Sequence, residues 1–394
     1  MTLIRTSLAI LVGSCSAVGA QNQYFHTNYD GQATLTGYIG TWGAVTIPPT
    51  IDGVPIASIG RRAFYGVSQL TSIALPDTVT NIDNDAFTSC SSLTNVTLPS
   101  RLISIGSEAF NDCRELPSVD IPETVESIGA YAFSGCSALS NINVPNKLMS
   151  IEHGLFQGCA FSNIKLPDGL ISIGGEAFME CSLLTNINIP DSVRSFGDAA
   201  FLGCTNLLSI RIPVSATNLG DAEFQSCYSL TSITIPAGVT NIGSNAFAWC
   251  YGLTNVTIPA SVKTIHARAF WFCSGLQSIY FKGDAPLTGY EVFYGIGRGI
   301  LYRLPDAKGW TAGIDGRGAL IWNPAFDTMA PTFEIRSNHF TLPLTGAGPA
   351  IVETTSDLAS GVWAPLGAPS ASGAPFTDAI QPANPRRFYR LRSP

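Results

Sequence analysis

Apolar and polar positions along this chain fall into a phrase that repeats. Between residues 70 and 90 it reads Leu70-x-x-Ile73-x-Leu75-Pro76-x-x-Val79-x-x-Ile82-x-x-x-Ala86-Phe87-x-x-Cys90. Phe returns at 64, 87, 110, 133, 156, 178, 201, 224, 247 and 270, always 23 residues on except for one step of 22. Pro76 to Pro259 and Cys90 to Cys273 keep the same beat, and the one missing residue falls just after Cys159, where Ala160-Phe161 stands. The alternation at Ile73 and Leu75 predicts a short strand with one face inward. Pro76, having no amide hydrogen, ends it. Gly follows the second aliphatic residue at 60, 106, 129, 174, 197, 220 and 243, which calls for either a positive φ or a close backbone approach. Asp83, Glu152 and His266 fill the same place in the other units. A helix is excluded, because the apolar spacing changes within each unit and Gly or Pro interrupts every one.

A unit this short cannot bury its own apolar face, whereas stacked neighbours bury one continuous core. At a strand spacing of ~4.8 Å, ten coils span roughly 45–50 Å. The repeated phrase resembles the BspA-like class of leucine-rich repeats, over about residues 33–282. The resemblance implies a repeat solenoid of coils of about 23 residues with a short-strand parallel sheet on the concave face. It implies a non-catalytic bacterial protein, secreted or at the cell surface, that binds a protein or polysaccharide ligand. Residues 33–64 resemble the first unit of such arrays, with a turn five residues longer than in the next unit and Val67 in the place of Cys. Leu155 and Glu223 depart from the Ala column and Phe161 from the Leu column.

Residues 283–323 break the period but keep echoes at Val292-Phe293 and Ile300–Pro305, and are expected to form a C-terminal cap. Residues 324–394 are rich in Pro, Ala, Gly, Thr and Ser, with candidate strands at Thr332–Arg336, Phe340–Leu344, Ala350–Thr354 and Arg387–Leu391. They resemble a small β module that recurs at the end of secreted bacterial proteins, which implies surface association or export; a purely structural role is the alternative. Leu342-Pro-Leu-Thr-Gly346 matches a sortase-type signal by letter, but no hydrophobic span follows it.

Residues 1–20 read as a secretory leader, with Arg5, the apolar run Leu8–Val12 and the small residues Val18-Gly19-Ala20 before a mature start at Gln21. A looser lipoprotein reading would make Cys15 a lipid anchor. No later stretch reaches the ~20 apolar residues of a membrane span. A net charge of −7 argues against nucleic acid, which needs clustered Lys and Arg. Only 12% of residues are charged, so Ser, Thr, Asn and Gly must finish most of the surface.

One Cys per coil, three residues after the Phe, is the spacing of a core column, and buried Cys behaves as a small hydrophobe. Free thiols are therefore expected, although neighbouring coils bring the Cα atoms within range of an occasional disulfide. No C-x-x-C pair occurs and the four His are scattered, so no metal or other cofactor is implied. No nucleophile elbow, phosphate-binding loop or zinc-helix motif is present. Asp120, Glu123 and Glu126 lie together in sequence, but on a solenoid rim they are expected to be solvated.

Two binding surfaces are expected instead. Flanking the inward Ile, one sheet-face column is always Asn or Ser, from Ser72 to Ser278, as suits a solvated sheet. The other varies, and Asp120, Asn143, Lys165, Asn188 and Arg211 are its candidate contact residues. The second surface is an aromatic patch of Tyr228, Trp249, Tyr251, Trp271 and Phe272, which replace smaller residues of earlier coils. It would grip sugars or proteins, or else pack against the cap or the terminal module. A structural envelope or matrix component without a discrete ligand is the alternative to recognition, and an active site within 283–394 is a remote third.

Overall fold

The computed structural model describes residues 23–311 and 313–321, together with six strands between Glu334 and Arg392. The leader, Cys15 and most of the 342–346 pentapeptide lie outside the described residues.

The chain winds into a solenoid of about twelve turns, with about 23 residues in each and no helix among the described residues. Each coil has three sides. On the first, the predicted strands pair in parallel and in register, Ser72–Ala74 with Asn95–Thr97 and Ser209–Arg211 with Ser232–Thr234. On the second, two-residue strands form another parallel ladder, such as Asn81–Ile82 with Ser104–Ile105. Nothing in the alternation announces this second ladder. On the third side the Ala-Phe segment runs through tight turns, and its amides reach the next coil: Phe87 N–H donates to Ala109 O (2.7 Å) and Phe110 N–H to Ala132 O (2.8 Å). Residues two before and two after each Phe carry positive φ, as at Asp85 and Ser89 (both 61°) and at Glu108 (57°) and Asp112 (58°).

The Gly column settles between its two explanations. None of these glycines has a positive φ. A Cβ on Gly129 would stand 2.4 Å from the amide nitrogen of Ser107 and one on Gly106 would stand 2.5 Å from that of Asn84, so close approach is the reason. The amides of six of these seven donate to the preceding coil, as Gly129 N–H to Ile105 O at 2.8 Å. The second ladder stops twice, between Ser127–Ile128 and Ser150–Ile151, where Glu152 replaces Gly, and between Ser195–Phe196 and Asn218–Leu219, where Gly220 is kept.

Inside, Phe64 to Phe293 form a ring stack, with centroids 5.0 Å to 6.3 Å apart and every Phe of the column at most 1% exposed. The widest gap, 6.3 Å between Phe133 and Phe156, lies beside the short coil. There Phe161 fills the Leu column, buried and edge-on to Phe156. The nine cysteines among the described residues are free and buried. Each thiol donates to the carbonyl of the Phe in the preceding coil, as Cys90 Sγ to Phe64 O (3.1 Å) and Cys204 Sγ to Phe178 O (3.1 Å). Besides filling space, the Cys column thus gives those buried oxygens a second partner, beside the amide three residues on, as Val67 N–H to Phe64 O (3.2 Å). Burial pushes the Cys136 and Cys181 thiols up to about 12, far from thiolate chemistry.

The N-terminal end is closed by an antiparallel hairpin, Tyr24–Tyr29 with Gln32–Tyr38, turning at Asp30-Gly31. A second hairpin, Thr50–Ile51 with Val54–Ile59, turns at Asp52-Gly53 and absorbs the five extra residues of the first unit. Both Asp-Gly pairs have positive φ at each residue, the twist that short hairpins favour. At the other end the 283–323 segment continues the coil geometry. Phe293 stacks 5.3 Å from Phe270, Ile296 replaces Cys, and Ile300–Arg303 and Ala319–Ile321 extend the first sheet. Beyond it, Glu334–Arg336, His339–Leu342 and Phe376–Ala379 form one antiparallel sheet, and Ala364–Pro365, Ile351–Thr355 and Phe388–Arg392 another.

Candidate binding surfaces

Asp120, Asn143, Lys165, Asn188 and Arg211 occupy successive coils on the first side, and all are exposed. They are not equally available. Asn143 turns its amide onto the backbone of the preceding coil, accepting from Ile121 N–H (2.7 Å) and donating to Ile121 O (2.5 Å). Arg211 holds Asp191 in a two-pronged ion pair at 2.7 Å and 3.2 Å. Asp120, Lys165 and Asn188 have no side-chain partner of this kind.

The first sheet is interrupted where the chain loses its residue. Strand pairing stops after Asn141–Ile142 and resumes at Asn186–Ile187, and a single Lys165–Asn188 bridge spans part of the interval. A hollow of about 260 Å³ opens here, between Glu123, Asn143, Asn146 and Lys165, over a floor that includes Val144 and Leu166. Glu123 is tied down by the Asn146 amides (3.0 Å and 3.3 Å), which leaves the Lys165 ammonium as the hollow's free charge. The first sheet breaks once more, between Asn95–Thr97 and Ser118–Val119, so the short coil is one of two irregular places on this face.

The aromatic patch is real as a juxtaposition. Tyr228 and Tyr251 stack at 5.2 Å with planes 22° apart. Trp249 lies 5.2 Å from Trp271, and Trp271 meets Phe272 edge to face at 4.6 Å. Tyr228, Tyr251 and Phe272 are exposed, while Trp249 and Trp271 are half-buried. Part of the patch packs on the closing coil: Phe272 contacts Tyr294 at 5.6 Å, and Arg268 lies between the Trp271 and Tyr290 rings while paired to Glu291 at 2.8 Å. Tyr290, Tyr294 and Arg268 went unread in the sequence. Carrying the period one coil further would have placed Tyr294 directly after Trp271 in its column.

One buried acid stands apart from both surfaces. Glu223 is 0% exposed, and neither carboxylate oxygen has a side-chain partner. Burial, with some help from Asp198, pushes its carboxyl up to about 8, against the pull of the Gly220 backbone. Among the described residues no group of three or more His, Cys, Asp or Glu is placed to hold a metal ion, and no helix is long and apolar enough to cross a membrane.

The family profile described as "BspA type Leucine rich repeat region" matches residues 57–185 and 171–297, in six copies. Among solved structures the chain is similar to a leucine-rich repeat protein from Bacteroides ovatus (25% identity, 76% of this chain and 98% of that one, TM-score 0.45). It is also similar to a leucine rich cell surface protein from Faecalibacterium prausnitzii (26%, 77% and 98%, TM-score 0.47). The pneumococcal vaccine antigen PcpA shares the fold at 16% identity, over 77% of this chain and 98% of that one, with a TM-score of 0.52. No curated protein matches the chain significantly.

Proposed function

The chain belongs to the BspA-type leucine-rich repeat family, and from that premise we propose that it is a secreted or cell-surface recognition protein that binds a protein or glycan along its first sheet. The reading is non-catalytic: the repeats spend their apolar residues on the core and their backbone amides on neighbouring coils, and what they present is a side-chain pattern. Solenoids commonly bind along such a face. The surface address is supported by the family and by the leader-like first 20 residues.

The observation that carries the reading is the break in the sheet at the short coil. Here the loss of one residue opens a hollow beside Lys165, within reach of the variable column that includes Asp120 and Asn188. The test is binding of the mature chain to an array of extracellular proteins and polysaccharides, with a variant carrying Asp120→Ala, Lys165→Ala and Arg211→Ala. Saturable binding that the triple variant loses supports recognition at this face. Saturable binding that it keeps assigns the ligand elsewhere, and no saturable binding favours a structural envelope component.

A further inference from the structure

Beside the Tyr228–Tyr251 stack, at the turns that lead from the third side into the first sheet, lies an open cleft of about 450 Å³. Its walls include Glu180, Leu202, Gly203, Thr205, Ser226 and Tyr228, drawn from three successive coils. The cleft's backbone is already spent: Glu180 N–H donates to Leu202 O (2.7 Å) and Gly203 N–H to Gln225 O (2.8 Å). Thr205 is turned onto Ser182 O (3.4 Å). What remains open to a ligand is the exposed carboxylate of Glu180, the aliphatic wall of Leu202, the Ser226 hydroxyl and the Tyr228 ring with its phenol. Glu180 makes no ion pair among the described residues. Gly203 has a positive φ of 74°, and a Cβ there would touch the Glu180 Cγ at 3.4 Å, an ordinary contact.

We propose that this cleft receives a Lys or Arg side chain of a protein partner, with an adjoining apolar residue of that partner seated on the Tyr228–Tyr251 stack. A long cationic side chain fits because its stem needs an apolar wall and its head needs a carboxylate, and Tyr228 adds a ring face beside the charge. The chain's net charge of −7 steers a basic partner toward it. The ring arrangement selects a protein over a sugar. Tyr228 and Tyr251 turn their faces toward each other, and Trp271 and Phe272 meet edge to face. The patch therefore presents mostly ring edges, with the faces between the stacked tyrosines closed to a ligand. A second copy of this chain is disfavoured, since it would bring acid to acid.

The test is selection of a random phage-displayed peptide library on the full chain, followed by fluorescence anisotropy of the enriched peptides. Peptides carrying Lys or Arg next to an aromatic or aliphatic residue are expected. Their affinity should fall about fivefold or more in Glu180→Gln, an exposed near-isosteric change, and more again when Tyr228→Ala is added. It should weaken with salt and stay unchanged in the Asp120, Lys165 and Arg211 triple variant, which separates this cleft from the first sheet. Enrichment of acidic or uncharged peptides, equal binding to Glu180→Gln, or no enrichment would each overturn the assignment. Binding of soluble oligosaccharides blocked by Tyr228→Ala would replace it with a glycan site.

Discussion

Exchanging Glu223 for alanine is expected to stabilise the protein, and to do so more strongly as pH rises. Most other coils place alanine at this position, whereas here a carboxyl is sealed in the core with no side-chain partner for either oxygen. Its folded value is raised to about 8 from an ordinary 4.5, chiefly by burial. The folded protein therefore holds a proton that the unfolded chain releases at lower pH. The stability tied to that proton is fully present below about 4.5, declines as pH rises, and is gone above about 8. At 1.36 kcal/mol per pH unit, the loss by pH 7 is about 3 kcal/mol, and the whole span is worth about 5 kcal/mol. Alanine removes this slope. It also removes an unpaired polar group, a gain of about 1–3 kcal/mol, which the lost packing of the longer side chain offsets in part. Near pH 4.5 the two proteins should thus be close in stability, and by pH 8 the variant should lead by several kcal/mol. Urea melts followed by tryptophan fluorescence at pH 5, 6, 7 and 8 give the comparison, with Glu223→Gln as the size-matched control that cannot ionise. Parallel pH profiles for all three proteins would show that Glu223 does not titrate inside the core.

Phe178→Ala should cost about 3–5 kcal/mol in the same denaturant assay, because it opens a void between two stacked rings; a loss under about 1 kcal/mol would place the side chain outside the core. Gly129→Ala should cost at least about 1–3 kcal/mol through overpacking, since its new methyl meets backbone rather than a movable side chain; a neutral result on thermal melting would refute the close-approach reading. None of the nine array cysteines should react with a thiol reagent at pH 8 until the chain is denatured, because all are buried and their thiols are shifted upward. Rapid labelling of the native protein would contradict that placement.

The core was legible because a repeat writes each buried position many times: Phe87, Cys90 and Ile73 need no partner sequence to be read as columns. Features built from the backbone were not. The Asn81–Ile82 ladder is two residues long, too short to show an alternation. The positive-φ positions hold Asp, Glu, Ser and Ala as readily as Gly, since interlocked turns on neighbouring coils hold them there. The choice between a positive φ and a close approach at Gly106 and Gly129 depends on the coil underneath, which lies 23 residues away in sequence. For the binding surfaces, column arithmetic found the exposed residues but not their commitments. That Asn143 is turned onto Ile121 and Arg211 onto Asp191 depends on side-chain reach between neighbouring coils. Tyr294 and Tyr290 were missed because the period was closed at residue 282, one coil before Phe293 shows it continuing.

Stacking in register is most directly measured as a distance in solution. Asn95 and Ser232 are exposed members of one sheet-face column, separated by six coil steps, through Ser118, Asn141, Asn163, Asn186 and Ser209. Nitroxides attached at Asn95→Cys and Ser232→Cys, with the buried native thiols left unlabelled, report their separation by pulsed dipolar spectroscopy. Coils piled at ~4.8 Å per step place the labels about 30 Å apart in one narrow distribution. A broad distribution, or a peak below about 20 Å or beyond about 45 Å, would mean that the coils do not stack as strands do.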